Sequence, residues 1–115
     1  MISLNTTSQV LLTSAALHCF AVYFDQLPQA LEQAVRRATR FTSTSTTANV
    51  SSVTAPAGDN IVRNIEHYTA HNGSLTTATV RIRILDGATE RPLLSTALLS
   101  GTSAVYEHGT GWQVL

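Results

Sequence analysis

Hydrophobic and polar residues alternate with a period of two along most of this chain. In His18, Phe20, Val22 and Phe24 the larger groups fall on every second position, with Cys19, Ala21 and Tyr23 between them. Val80, Ile82 and Ile84 alternate with Arg81 and Arg83, which puts three aliphatics on one sheet face and two guanidiniums on the other. Residues 93–99 are apolar on both faces, the pattern of a central strand. Residues 50–53 and 61–65 read as weaker strands, the second continued on one face by Tyr68 and Ala70. Turn residues separate these runs in the clusters 55–60, 71–74, 85–88, 100–102 and 108–111. Two of them hold hairpin dipeptides, Asn72-Gly73 and Asp86-Gly87. Short strands with frequent turns predict an all-β fold, a single antiparallel β-sandwich of jelly-roll-like type over residues 1–115.

Three segments depart from that rhythm. Residues 28–38 are good helix formers, with Pro28 suited to a first turn and Leu31, Ala34, Val35 and Ala38 on one helical face. A short helix is expected there, or an irregular loop if the sheet needs these residues extended. Residues 39–49 are rich in Thr and Ser and fit either a loop or an edge strand. Residues 1–8 read as an N-terminal arm that orders on a partner.

Composition narrows the function. Seven Arg and no Lys balance seven Asp and Glu, so the net charge is zero, and charged residues make up only 12% of the chain. The polar surface must therefore be built largely from the 17 Thr and 11 Ser. A neutral chain lacks the basic footprint of a nucleic-acid binder. No run of about 20 apolar residues is present to span a membrane as a helix. The apolar run 11–24 does not resemble a secretory signal, because residues 1–5 carry no Lys or Arg and His18 interrupts it. Cytoplasmic synthesis with a reduced Cys19 is expected.

No combination of residues predicts an active site, and no cofactor or metal is expected. His67 and His71 are four apart; on a strand they would share a face but lie about 13 Å from each other, too far for one ion. His18 and Cys19 are neighbours, so on a strand they point to opposite faces and His18 cannot activate the thiol. Cys19 reads as a small buried hydrophobe. Gly109-Thr110-Gly111 has no helix behind it to bind phosphate and reads as a turn. Asp86 and Glu90 fall in a turn region and read as solvated. Arg81 and Arg83 are candidates for a subunit contact, since Arg is favoured at interfaces. Tyr106 and Trp112 are candidate interface aromatics, with sandwich core as the competing reading.

From Thr46 onward the chain resembles a loose group of small tailed-bacteriophage virion proteins. The resemblance rests on an ordered series of strands and turns: Thr46-Thr47-Ala48, Ala55-Pro56-Ala57, Val62-Arg63-Asn64-Ile65, His71-Asn72, Thr79-Val80-Arg81-Ile82 and Asp86-Gly87. It continues through Leu93-Leu94, Leu98-Leu99-Ser100-Gly101, Tyr106-Glu107 and Gly109-Thr110-Gly111-Trp112-Gln113-Val114. Residues 8–24 resemble the opening hairpin of that group, whereas 28–38 replace its Gly/Thr/Pro-rich loop. The resemblance implies a non-enzymatic virion structural protein that contacts other virion proteins, such as the major capsid protein or neck and tail proteins, and acts as a homo-oligomer. The expected role is capsid decoration or cement; the alternative is a tail, neck or fibre component that binds carbohydrate or a receptor.

Overall fold

The computed structural model describes residues 2–26, 35–45, 48–58 and 60–115. The described chain forms ten β-strands and two antiparallel sheets packed face to face, a β-sandwich. The strands are β1 (Ile2–Leu4), β2 (Ser8–Thr13), β3 (Leu17–Gln26), β4 (Val35–Ser43) and β5 (Asn49–Val53), followed by β6 (Val62–Asn72), β7 (Ala78–Asp86), β8 (Thr89–Leu98), β9 (Ser103–Glu107) and β10 (Gly111–Val114). The larger sheet runs β10-β9-β6-β3-β4, and the smaller runs β5-β2-β7-β8. Most connections cross between the sheets, as in a jelly roll; the pairs β3–β4, β7–β8 and β9–β10 stay within one.

The core lies between the sheets. Val80, Ile82 and Ile84 are buried on the inner face of β7, as their alternation predicts. Opposite them the long strands β3 and β6 contribute Leu17, Cys19, Ala21, Ile65, Tyr68 and Ala70. On β3 the faces are the reverse of what side-chain size suggests. The smaller set Leu17, Cys19, Ala21 and Tyr23 is buried, while Phe20, Val22 and Phe24 are half-buried on the outer face. The inward position opposite Ala21 on β6 is the large Tyr68, so small and large residues complement each other across the strand pair;.

Several sequence expectations are corrected. Residues 35–38 are extended in β4, each paired with β3, so the helix expected over 28–38 is absent from its last four residues; 28–34 lie outside the described residues. Pairing to a long strand supplies backbone partners that outweigh a weak helical propensity. Within the arm expected over 1–8, residues 2–4 are strand: β1 pairs with β6 through Ile2↔Ile65 and Leu4↔Arg63, and Leu4 is fully buried. Two apolar residues two apart are enough to dock that strand. Residues 8–24 do not form a hairpin, because β2 and β3 belong to different sheets. Asn72-Gly73 likewise marks a crossover from β6 to β7 rather than a hairpin. Residues 93–99 do not lie in a central strand, because β8 is an edge of the smaller sheet. Pro92, which has no N–H to give to a ladder, fits such an edge. Asp86-Gly87 does close a hairpin: Asp86 pairs with Thr89, and Gly87 takes φ 59°, which a two-residue turn requires at its first central position;.

Candidate interaction surface

The four residues singled out from sequence do not converge. Arg81 and Arg83 both sit on the outer face of the smaller sheet, but in different states. Arg81 is exposed. Arg83 is 6% exposed and locked in a polar strap. Its guanidinium donates to both Glu90 carboxylate oxygens at 3.1 and 3.0 Å, and to Thr13 Oγ1 and Asn49 Oδ1 at 2.7 Å each. The strap joins all four strands of the sheet, so Arg83 is committed to its own fold. Glu90, exposed as expected, is the acid that holds it. The register Leu11↔Arg83 also places the strap beside Leu11, an apolar residue 7% exposed on that outer face.

Tyr106 and Trp112 belong to the other sheet, paired across β9 and β10 on the inner face of the larger sheet. Tyr106 is buried and Trp112 half-buried. The Trp112 ring lies 5.3 Å from that of Tyr106 and 5.9 Å, edge-on, from that of Tyr68. Such pairs stabilise a core. Neither aromatic is presented as a free binding anchor.

The outer face of the larger sheet is different. Phe41 on β4 pairs with Phe20 on β3, their ring centroids are 4.8 Å apart, and Phe41 is 79% exposed. The His67 ring lies 6.0 Å from Phe20 on the other side. Val22 and Phe24 extend this apolar row along β3, half-buried. Both residue sets of β3 are apolar, so alternation does not say which of them faces out; residues 39–43 of the segment expected as a loop or an edge strand are the end of the edge strand β4, which brings Phe41 beside Phe20. The register of β4 against β3 and of β3 against β6 assembles it.

The ionisable groups are largely structural. Arg63 donates to Asp25 at 2.7 and 2.8 Å and to the Thr54 carbonyl at 2.8 Å, while its guanidinium carbon sits 4.3 Å over the Tyr23 ring. The Asp25 carboxylate holds the Arg63 pKa above its ordinary value. Burial pushes the Cys19 thiol up to about 11, against the smaller opposing effect of the neighbouring Tyr68 and Ser52 hydroxyls. The thiol is therefore protonated at neutral pH and is a poor nucleophile. Tyr68 donates to Ser52 Oγ at 2.7 Å, and Ser52 in turn to the Val10 carbonyl at 3.2 Å, which satisfies the buried hydroxyls. His67 uses both ring nitrogens, with Glu107 Oε1 at 3.0 Å and Thr69 Oγ1 at 2.6 Å. Gly109-Thr110-Gly111 lies at the β9–β10 turn, where the Thr110 N–H donates to the Glu107 carbonyl at 3.1 Å. No group of three or more metal-ligating side chains occurs among the described residues.

Comparison with protein-family models, with curated proteins and with solved structures finds no match to this chain. The surface itself is thus the ground for a functional reading. It offers one partly exposed aromatic row on a sheet face, flanked by the edge strand β4. Thr39 and Ser43 of β4 border it, with the Arg37–Glu66 ion pair beside Phe24 and the His67–Glu107 pair beside Phe20. An exposed apolar row rimmed by polar groups is suited to contact with another protein.

Proposed function

We propose that this chain is a bacteriophage virion structural protein, specifically a capsid decoration or cement protein. It acts as a homo-oligomer, synthesised in the host cytoplasm and carried in the virion. The observation that carries a docking role is the Phe41–Phe20 pair on the outer face of the larger sheet, with Phe41 79% exposed. The virion assignment rests on the ordered strand-and-turn resemblance over residues 46–115. The protonated Cys19 thiol and the structural engagement of His67 and Glu90 are in keeping with a non-enzymatic role. Carbohydrate or receptor binding would use Tyr106 or Trp112 as exposed anchors; Tyr106 is buried and the half-buried Trp112 ring packs against Tyr106 and Tyr68, whereas Phe41 is open, which favours the docking reading.

Mass spectrometry of density-banded virions tests the assignment: the chain is expected as a stoichiometric component, and its absence from purified particles rules the proposal out. Phe41→Ser, at an exposed position, should leave folding intact and weaken binding of the purified protein to capsids that lack it. Unchanged capsid binding by that variant would exclude this face as the docking surface.

A further inference from the structure

The strand register brings together two histidines that are 53 positions apart in sequence. His18 on β3 pairs directly with His71 on β6. Residues so paired in an antiparallel sheet have Cα atoms roughly 4.5–5.5 Å apart and side chains on the same face. The rings turn in a defined way. His18 Nδ1 is 3.0 Å from Ser43 Oγ on β4, and His71 Nδ1 is 2.8 Å from Ser103 Oγ on β9. These serines flank the pair on opposite sides, because β4 and β9 lie on opposite sides of the β3–β6 ladder. With each Nδ1 turned outward, the Cδ2–Nε2 edges of the two rings turn toward each other.

Gly73 lies beside both rings and closest to that of His18. A Cβ on Gly73 would stand 3.1 Å from His18 Cδ2, 3.2 Å from His18 Nε2 and 4.0 Å from His71 Cδ2. Glycine lets the His18 ring lie this close to the backbone. Among the described residues neither Nε2 has a hydrogen-bond partner. In the tautomer in which Nδ1–H donates to serine, each Nε2 presents its lone pair outward. A hydrogen bond at the other ring nitrogen is also what fixes the orientation and tautomer of metal-bound imidazole.

From this geometry we propose that His18 and His71 form a two-histidine chelate for a borderline divalent transition metal such as Cu(II), Ni(II) or Zn(II). Imidazole nitrogen suits these ions, whereas Mg(II) and Ca(II) prefer oxygen. The ion is held by the two Nε2 atoms, Ser43 and Ser103 position the rings, and the remaining coordination positions are open to solvent. His67, whose two nitrogens are already occupied, is not a ligand.

The test is calorimetric titration of the full-length protein with Cu(II) and with Zn(II), joined to long-range proton–nitrogen correlation spectra of the histidine rings. One ion should bind per chain, Cu(II) more tightly than Zn(II), with only the Nε2 signals of His18 and His71 taking metal-bound shifts. His18→Ala or His71→Ala should each weaken binding by about tenfold or more, whereas His67→Ala and His108→Ala should not. Both ligands lie on the outer face, and far-UV circular dichroism verifies that the variants fold. Absence of binding at about 1 mM Cu(II), or equal weakening by His67→Ala, overturns the proposal. So do unchanged His18 and His71 ring signals at metal saturation.

Discussion

Asn72 is the sharpest place to perturb this fold. It is fully buried where β6 leaves the larger sheet and the chain crosses to β7. Its amide Nδ2 donates to the carbonyls of Thr76 and Leu98, each at 2.9 Å, and Oδ1 accepts from the Ser74 N–H at 3.0 Å and the Ser74 hydroxyl at 2.8 Å. One side chain therefore fastens the crossover to the end of β8. Asn72→Ala removes all four bonds. The Ser74 hydroxyl keeps its bond to the Thr76 carbonyl at 2.9 Å, so the loss concentrates on the Leu98 carbonyl in the interior and the Ser74 N–H. Stranding a buried polar group costs about 1–3 kcal/mol, and each lost but resolvated bond about 1 kcal/mol. The expected destabilisation is about 3 kcal/mol, a large part of the roughly 5–15 kcal/mol that holds a domain together.

Urea unfolding followed by circular dichroism reads this as a lower midpoint at unchanged slope, and calorimetry as a melting temperature lower by about 12 °C. Asn72→Asp is the control of nearly equal volume. It turns the donor that faces two carbonyls into an acceptor, so at neutral pH it should destabilise more than Asn72→Ala. Burial and the facing carbonyls raise the folded-state pKa of the introduced carboxylate above its unfolded value. Its penalty should therefore shrink as pH falls through that raised pKa. A loss below about 0.5 kcal/mol for Asn72→Ala, the range of ordinary surface changes, would refute the account. So would a pH-independent Asn72→Asp variant more stable than Asn72→Ala.

Other consequences are as direct. Ile82→Asp should abolish cooperative unfolding, because Ile82 is fully buried between the sheets and the carboxylate would have no partner; a native-like melting curve would contradict the face assignment;. Leu4→Ala should cost about 3 kcal/mol by chemical denaturation, whereas a free N-terminal arm would tolerate it at almost no cost;. A double-mutant cycle on Asp25 and Arg63 should give a coupling of about 1–2 kcal/mol, above that of an exposed pair, since the two side chains are only 17% and 10% exposed;. Cys19, with its pKa up at about 11, should resist alkylation at pH 7–8 in the native protein and react readily in denaturant;.

The class of fold is legible from residues 80–84 alone. A β-strand alternates its faces strictly, so three aliphatics interleaved with two arginines can be satisfied only by a sheet with one buried side;. The Asp86-Gly87 hairpin is equally local, because glycine at the first central position of a two-residue turn needs no help from elsewhere;. What alternation does not specify is which face of an apolar strand turns inward. On β3 both sets are apolar, and the choice went to the smaller side chains because Tyr68 of β6 fills the space beside Ala21. Nor does an Asn-Gly pair say whether the chain turns back or crosses over: at Asn72 the carbonyls of nearby Thr76 and distant Leu98 captured the amide. Arg83 looks like its neighbour Arg81 in sequence, and only Glu90, Thr13 and Asn49 make it a strap.

The histidines state the division most plainly. By itself the sequence determined that His67 and His71 could not share an ion, because strand rise separates them along one chain. That His71 instead faces His18 depends on the register of β3 against β6, which is set by the packing of two whole strands and their turns;. Periodicity along the chain thus determined the sandwich. The pairing between strands, a property of residues far apart in sequence, decided which side chains stand together on its surface.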